Sequence, residues 1–459
     1  MKKVGIDNIA AYAPKLYVDG SEFEIARGKS SGHITIGLGI KKMAVLDAHE
    51  DAMTMGAMST LKLLQQNNLL PKEIGRFEVA TETSYDEAKA ANSYIVGMIE
   101  QVYGRNSCKH WGGVERKAAC ASGGYAVYDI FNWIKAGENE GKPGIVLTTD
   151  IARYEIGDSG EYTQGGGSVA MLVTENPRLL AIEPNTTSWI TVDEKDFYRP
   201  FGKRTAIVDG QYSNLCYLYT MRETFEGWKN KVLKNKVIEL SEGGCVLDHV
   251  DRMVSHNPFP RMAEYNHAFL LRHEWRKLPR WKEIISAIGE DEPTHEDGTI
   301  ETILKNKSFM EKDTNFRRKF VKTDQFIKSY KEKVENTLKI PEQIANIYTG
   351  SLPLGMLSLF EVEDKMGIDL VGKRVGNGYY GSGATGFVTS GIVSENYKEV
   401  ARRFKTLEEL EKRRKISIKE YEDLHEGRKK PVEESLILPD NEFVFSGEVN
   451  GYRHYKFLG

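Results

Sequence analysis

The chain has 459 residues, of which 28% are charged and 40% hydrophobic, and its formal net charge is −3. These values are typical of a globular protein and indicate neither nucleic acid nor an acidic membrane surface as a partner. No apolar run has the length of a signal peptide or membrane span, and four scattered cysteines predict no disulfide framework. We therefore expect a soluble, cytoplasmic protein.

The first part of the chain alternates between strand-like and helix-like patterns. Strands are predicted at residues 4–12, 76–80, 144–148 and 168–173, and helices at 44–64, at 88–103 and directly after Cys120. This alternation favours an α/β architecture. The pattern pauses around Pro177, so residues 1–176 and 177–459 are predicted to form an N-terminal and a C-terminal half.

The second part opens with a predicted helix at 215–237 and a predicted strand at 250–255. Residues 272–339 are charged and irregular, which indicates a surface insertion with helical pieces and no catalytic role. Residues 406–430 are dense in Lys, Arg and Glu and predict a solvated helix, followed by a final strand at 452–457.

Cys120 lies among small residues, directly ahead of a helical pattern that begins with two glycines. Small residues allow a sharp turn and close approach of a substrate. A cysteine at a helix N-terminus is expected to favour its thiolate, the nucleophilic form. The alternative interpretation is a buried structural cysteine.

Two further residues carry suitable chemistry at the ends of predicted strands. Glu82 follows the strand at 76–80, where its carboxylate either faces a cleft or caps the next helix. His256 follows the strand at 250–255 and precedes two prolines that keep the backbone extended. A cysteine nucleophile with a glutamate and a histidine supports covalent acyl transfer combined with acid–base chemistry.

Two other signals do not support a site. The glycines at 376–381 match a dinucleotide-binding fingerprint, but a strand-like segment at 386–393 follows where that motif requires a helix. Cys245 and the histidines after it match no common zinc spacing. We expect neither a dinucleotide site nor a metal site.

Short motifs along almost the whole chain resemble those of the 3-hydroxy-3-methylglutaryl-CoA synthase family, within the thiolase-fold superfamily. They lie at residues 80–82, 118–120, 150–154, 163–165, 208–210, 256–259, 346–351 and 380–383. The resemblance implies an α/β, thiolase-like fold of two related halves in a five-layered αβαβα sandwich. It also implies a homodimer.

The same resemblance implies a reaction and roles for individual residues. Acetyl-CoA condenses with acetoacetyl-CoA and water to give 3-hydroxy-3-methylglutaryl-CoA and CoA, a step of the mevalonate pathway that needs no cofactor. Cys120 is the acetyl-accepting nucleophile, Glu82 the general acid and base, and His256 engages the acetoacetyl thioester. Substrate-binding side chains are expected at Tyr154, Thr163, Ser213, Arg261, Asn346 and Ser382.

Departures from the family pattern leave alternatives open. Arg261 and Tyr265 stand where two lysines are common, and Tyr379 stands where a serine is usual. The rival readings are a β-branching synthase that takes its acceptor from an acyl carrier protein, a ketoacyl synthase, and a non-catalytic scaffold. A ketoacyl synthase would use Cys-His-Asn and would not need Glu82. Because the near-neutral charge gives no sign of a basic docking patch, we expect acetoacetyl-CoA as the acceptor.

Overall fold

The computed structural model of the protein describes residues 2–295 and 298–459. Its strands are β1 (Val4–Tyr12), β2 (Leu16–Asp19), β3 (Lys42–Val45), β4 (Arg76–Ala80), β5 (Glu115–Arg116), β6 (Gly144–Ile151), β7 (Gly166–Glu175), β8 (Leu180–Ile182), β9 (Ser188–Thr191), β10 (Phe197–Tyr198), β11 (Ile207–Val208), β12 (Arg252–Ser255), β13 (Arg374–Gly381), β14 (Thr385–Val393), β15 (Arg414–Lys415), β16 (Glu442–Val449) and β17 (Tyr452–Leu458).

Its helices are α1 (Gly20–Ala26), α2 (Ala52–Gln66), α3 (Ala91–Tyr103), α4 (Ser122–Lys135), α5 (Gly210–Lys234), α6 (Pro260–Trp275), α7 (Arg280–Ile288), α8 (Ile300–Lys305), α9 (Lys307–Phe320), α10 (Asp324–Lys333), α11 (Ser351–Lys365), α12 (Tyr397–Ala401), α13 (Thr406–Glu411) and α14 (Ile418–His425). Within the described residues, every helix is too short or too polar to cross a lipid bilayer.

Ten strands form one mixed sheet in the order β12-β13-β14-β8-β1-β7-β6-β4-β5, with β9 added beside β14. Strand β8 pairs with both β1 and β14 and so joins the strands of the first half to those of the second. The β4–β5, β4–β6 and β12–β13 pairs are parallel, whereas β1–β7 and β13–β14 are antiparallel.

Helices cover this sheet in layers. Helix α2 packs against β1, β6 and β7, α3 packs against α2 and β4, and α5 packs against β13 and β14. Helices α4 and α11 lie between the strands of the first half and those of the second. Their buried side chains belong to one apolar cluster with residues of β1, β7 and β13. The predicted α/β architecture with five layers is confirmed, and α4 in its central layer starts two residues after Cys120.

The predicted helix at 44–64 was wrong at its start. Residues 42–45 form β3, which pairs antiparallel with β2, and the helix starts only at Ala52. Asp51 causes this start because its carboxylate accepts the backbone N–H of Thr54 at 2.8 Å in a capping box. The strands that precede Glu82 and His256 lie where the sequence predicted them.

The charged segment at 272–339 is largely helical, as the sequence predicted. Helices α7 to α10 bury Phe316, Phe320 and Phe326 against Trp275 and Trp281. Residues 296–297 of the segment lie outside the described part. The peripheral role of the segment stays a prediction.

The predicted solvated helix at 406–430 was wrong in its continuity. It consists of α13 and α14 with β15 between them, and β15 pairs with β2. Tyr421 and Leu424 are buried, so one face of α14 contributes to the core. The hairpin β16–β17 packs on α2 and α3, so the end of the chain contacts elements of the first half. The boundary between residues 176 and 177 stays a prediction.

Candidate active site

A sharp turn holds Cys120 ahead of α4. Ala119 has a φ of +44°, a strained conformation for a residue other than glycine. The Ser122 hydroxyl accepts the N–H of Ala118 at 2.6 Å and donates to the carbonyl of Ala119 at 2.6 Å. These two hydrogen bonds stabilise the turn, and strain of this kind is typical of active sites.

Cys120 and Glu82 are brought together by this turn and by the segment that follows β4. The Sγ atom of Cys120 donates to Oε1 of Glu82 at 2.8 Å. Both residues are buried, with 7% and 8% of their surfaces exposed. A nucleophile and an acid–base group are therefore in direct contact, while their roles in a reaction stay predictions.

Burial controls the protonation of this pair. It raises the pKa of the Cys120 thiol well above its usual value, and the charge of Glu82 raises it further. The expectation that the helix N-terminus favours a thiolate was therefore wrong for the resting site. Burial, followed by the charge of Asp150, also raises the pKa of Glu82 to about 8.

Asp150 positions Glu82 from the end of β6. Its Oδ1 atom accepts the backbone N–H of Glu82 at 2.7 Å and the hydroxyls of Thr83 and Thr81 at 2.9 and 3.0 Å. Its Oδ2 atom accepts the hydroxyl and N–H of Thr349 at 2.5 and 3.1 Å. Burial raises the pKa of Asp150 to about 6. Asp150 was not predicted as a site residue, although a carboxylate at the end of an apolar strand is a usable signal.

His256 is held by its backbone at the end of β12. Its N–H donates to the carbonyl of Gly378 at 2.8 Å, and its own carbonyl accepts the Tyr217 hydroxyl at 2.7 Å. Only 2% of the residue is exposed, and burial lowers its pKa to about 3, so the imidazole is neutral near pH 7. Nδ1 has no hydrogen-bond partner within the described chain, which leaves a buried ring atom for a ligand.

Strand β13 connects the surroundings of His256 to the Cys120 turn. The ring of Tyr380, near the end of β13, lies 6.3 Å from the ring of His256. The next residue, Gly381, packs against the turn so closely that a Cβ there would lie 2.5 Å from the carbonyl oxygen of Ala118. The histidine and the nucleophile are thus linked through two consecutive residues of one strand.

Asp196 organises the predicted pocket residues Ser213 and Ser382. Its buried carboxylate accepts the hydroxyls of Ser213 at 3.0 Å and of Tyr380 at 2.7 Å, and the backbone N–H of the residue after Ser382 at 2.8 Å. Its charge also contributes to the raised pKa of Cys120. Asp196 was not identified from sequence, because nothing local shows that its side chain is buried.

Aromatic side chains enclose Cys120 on another side. Tyr154 and Tyr348 are buried in a cluster with Cys120, and the ring of Phe197 lies 6.4 and 5.8 Å from theirs. Burial raises the pKa of both tyrosines, so both are neutral hydroxyls that can donate to a substrate oxygen. Tyr154 was predicted to bind substrate, whereas Tyr348 was not singled out.

Asn346 and Thr163 lie next to this cluster. The backbone N–H of Asn346 donates to the carbonyl of Thr163 at 3.0 Å, and the Thr163 hydroxyl donates to Gly160 at 2.8 Å. Oδ1 of Asn346 accepts the N–H of Tyr348 at 2.9 Å and the hydroxyl of Ser351 at 3.1 Å. Its Nδ2 donates to no described residue and remains available to a substrate carbonyl.

Arg261 does not join this group. It lies in the first turn of α6, where its Nε donates to the carbonyl of Ile36 at 2.9 Å and its guanidinium pairs with Glu264. Tyr265 lies one helical turn further along α6, and the guanidinium of Arg317, from α9, lies 4.0 Å from the centre of its ring. The insertion therefore places a positive charge beside the tyrosine that stands in a position where lysine is common.

One group of side chains among the described residues has the proximity of metal ligands: Glu226, His273 and Glu274. The ammonium of Lys229 already contacts the two carboxylates, at 3.2 and 2.5 Å. We therefore assign this group to an ion-pair network on α5 and α6. Cys245 and the other three cysteines are all unpaired and buried.

The chain is similar to known proteins over nearly its whole length. The N-terminal and C-terminal family models of hydroxymethylglutaryl-coenzyme A synthase match residues 1–177 and 185–445. The hydroxymethylglutaryl-CoA synthase of Haloferax volcanii is 34% identical over 97% of each chain. The synthase of Saccharomyces cerevisiae is 29% identical over 92% of this chain and 81% of its own.

A solved structure shows the same similarity in three dimensions. The structure of MvaS in complex with 3-hydroxy-3-methylglutaryl coenzyme A is 30% identical in sequence and has a TM-score of 0.82, and the match covers 100% of both chains. Both family models, a relative above 30% identity and this structure agree with the resemblance seen in the motifs. The chain belongs to the hydroxymethylglutaryl-CoA synthase family.

Proposed function

We propose that Cys120 carries the acetyl group in the reaction of this family. In that reaction acetyl-CoA condenses with acetoacetyl-CoA and water to give 3-hydroxy-3-methylglutaryl-CoA and CoA, in the mevalonate pathway. The observation that carries the proposal is the 2.8 Å contact between the Cys120 thiol and the Glu82 carboxylate. A covalent acyl carrier next to a carboxylate suits a reaction that first transfers and then deprotonates an acetyl group.

In the first step the sulfur of Cys120 attacks the thioester carbonyl of acetyl-CoA. The bond from that carbonyl to the CoA sulfur breaks, and the thiol proton ends on the departing CoA. Backbone N–H groups around Cys120 and Gly381 are candidates to stabilise the oxyanion, because the two segments pack against each other. Glu82 orients the thiol through their hydrogen bond.

In the second step Glu82 removes a proton from the methyl group of acetyl-Cys120. The resulting enolate attacks the ketone carbon of acetoacetyl-CoA, and the new alkoxide takes up one proton, which balances the one removed. Since burial holds the pKa of His256 at about 3, its ring acts as a neutral hydrogen-bonding group at the acceptor carbonyl. Water then hydrolyses the thioester and restores the Cys120 thiol.

The residues around this pair fit the binding of a thioester. Tyr154 offers a neutral hydroxyl, and Asn346 offers an amide nitrogen with no donor bond to the described chain. Ser213 and Ser382 lie beside Asp196 and Tyr380, and Thr163 supports Asn346 through its carbonyl. We propose that Arg261, in the first turn of α6, binds the CoA portion of acetoacetyl-CoA.

The reaction is tested by supplying the substrates separately. Purified protein is expected to consume acetoacetyl-CoA only when acetyl-CoA is also present, and to release free CoA in proportion. Turnover of acetoacetyl carrier protein in place of acetoacetyl-CoA would instead support the β-branching alternative. Consumption of neither acceptor would support the scaffold alternative.

We also propose a cytoplasmic homodimer that works without a metal or redox cofactor. The steps above involve only side chains and thioesters, and the four buried cysteines need no oxidising compartment. Strand β5 ends the sheet with an edge that can pair with a second chain. Sedimentation should give twice the mass of one chain, a chelator should leave turnover unchanged, and cell fractionation should recover the protein in the cytosol.

A further inference from the structure

A cavity of about 420 Å³ lies directly beyond Glu82, on the side formed by residues 83–85 and 151–153. Much of its wall is apolar or aromatic, with contributions from Met43, Val45, Leu46, Ile151, Tyr85, Tyr421, Leu424 and Phe445. A volume of this size is within the usual range for small organic ligands. The mechanism above does not use this space.

Positive side chains without partners line the same cavity. Arg153, Lys203, Arg204 and Lys429 contribute to its wall, and within the described chain no carboxylate pairs with any of them. Burial lowers the pKa of Arg153, and the nearby charge of Arg204 lowers it further. Arg153 and Lys429 are half-buried, whereas Lys203 and Arg204 are exposed at the mouth of the cavity. An anion bound among these like charges would reduce their mutual repulsion.

The carboxylates in the wall do not neutralise these cations. Asp47 accepts the backbone N–H groups of residues 436 and 437 at 2.9 and 2.8 Å. Glu50 accepts a tyrosine hydroxyl at 2.6 Å, and burial raises its pKa to about 7. Asp51 is paired with Arg453 at 2.7 Å. None of these three acids forms an ion pair with Arg153, Lys203, Arg204 or Lys429, and cations outnumber acids in the lining, so the net charge of the cavity wall is positive.

We propose that this cavity binds a phosphate ester whose organic portion is apolar. Guanidinium groups recognise phosphate through paired N–H donors, and lysines add positive charge. The apolar and aromatic walls provide the contact surface for the rest of the ligand. The phosphate can belong to the CoA of a substrate or to a separate phosphorylated metabolite.

The position of the cavity connects it to the catalytic base. Arg199 lines the cavity and also donates to the backbone carbonyl of Glu82. Its charge is one of the influences that lower the pKa of Glu82. A phosphate that pairs with Arg199 would therefore lie beside the group that deprotonates the acetyl methyl.

The proposal is tested by calorimetry on the full chain, with phenyl phosphate and inorganic phosphate as probes. Phenyl phosphate is expected to bind the wild type more tightly than inorganic phosphate, because only phenyl phosphate contacts the apolar walls. The double variant Lys203→Gln/Arg204→Gln should weaken phenyl phosphate binding by tenfold or more. The variant Lys234→Gln/Lys236→Gln removes two exposed charges from the end of α5 and should leave binding unchanged.

Competition with free CoA distinguishes the two sources of phosphate. If the phosphate belongs to CoA, CoA displaces phenyl phosphate and the Lys203→Gln/Arg204→Gln variant raises the KM of a CoA substrate. If it belongs to another metabolite, both ligands bind together and the KM values are unchanged. The proposal is overturned if the wild type binds no phenyl phosphate at millimolar concentration, or if the two double variants bind it equally well. Because the readout is binding, failure of the proposed reaction would not affect it.

Discussion

The carboxylate of Asp150 accepts the backbone N–H of Glu82 at 2.7 Å, so one buried acid positions another. Burial and this neighbouring charge together raise the pKa of Glu82 to about 8, from a usual value of 4.5. The arrangement makes Glu82 a stronger base once it is ionised, because a carboxylate with a higher pKa binds a proton more tightly.

Replacement of Asp150 should change the pH dependence of condensation. In Asp150→Asn the neighbouring negative charge is lost, so the pKa of Glu82 should fall and the acid limb of kcat should move to lower pH. The amide cannot accept all the hydrogen bonds of the carboxylate, so the free energy of unfolding should fall by about 1–3 kcal/mol. The rate is measured from pH 5 to 10. An unchanged acid limb would mean that Asp150 only supports the fold.

Glu82 should reduce the stability of the protein at high pH. The unfolded chain loses the Glu82 proton near pH 4.5, whereas the folded chain keeps it to about pH 8. The folded state is therefore destabilised progressively across that window, and Glu82→Gln should remove the effect. We expect the free energy of unfolding of the variant to exceed that of the wild type by about 1–3 kcal/mol above pH 8 and by little at pH 4.

Urea unfolding at several pH values measures this difference. Glu239→Gln, at an exposed position, serves as the control and should behave like the wild type. A stability gain for Glu82→Gln that is equal at pH 4 and pH 9 would contradict the raised pKa.

Much of this site follows from sequence, because Glu82 and His256 each follow a strand and Cys120 precedes a helix. Apolar runs predicted β4 and β12, and the small residues around Cys120 predicted its turn. The protonation of Cys120 could not be predicted, because burial and the charge of Glu82 raise the pKa of the thiol and both depend on the whole fold. The start of α2 was missed because β3 is short and gains its stability from pairing with β2.

Residues that act through distant partners were not predicted either. Asp196 contacts Ser213 and Tyr380, which lie 17 and 184 positions away along the chain. Arg317 contacts Tyr265 from the insertion, for which the sequence predicts a peripheral position. Such contacts depend on tertiary packing, and local patterns carry no information on them.

Gly381 should be essential because of its close approach to the Cys120 turn. A Cβ at this position would lie 2.5 Å from the carbonyl oxygen of Ala118, and backbone atoms cannot give way cheaply. Gly381→Ala should therefore displace the turn and lower kcat by about 100-fold or more, because catalysis depends on exact positioning of the reacting groups.

Gly97→Ala provides the matched control for that substitution. Gly97 lies at an exposed position inside α3, and a Cβ there meets no atom within 4 Å. The control should keep full activity, and its free energy of unfolding should rise by up to about 1 kcal/mol, because alanine favours the helix. Normal activity in Gly381→Ala would show that the turn tolerates displacement.

Arg261 should affect the binding of acetoacetyl-CoA and not the chemistry at Cys120. We expect Arg261→Ala to raise the KM for acetoacetyl-CoA about tenfold, as for the loss of one charge-assisted hydrogen bond. Acetylation of Cys120 should remain nearly intact, and Arg261→Lys should recover part of the loss. An unchanged KM would remove Arg261 from the binding site.

The central claim is that Cys120 holds the acetyl group that Glu82 then deprotonates. The most direct measurement is to incubate the wild type, Cys120→Ser and Glu82→Ala with radiolabelled acetyl-CoA and to identify the labelled peptide. We expect label on the Cys120 peptide of the wild type and of Glu82→Ala, and none in Cys120→Ser. On addition of acetoacetyl-CoA, Glu82→Ala should form product at least about 10²–10⁴ times more slowly than the wild type. Label on Cys108 or Cys216, or loss of labelling in Glu82→Ala, would contradict the account.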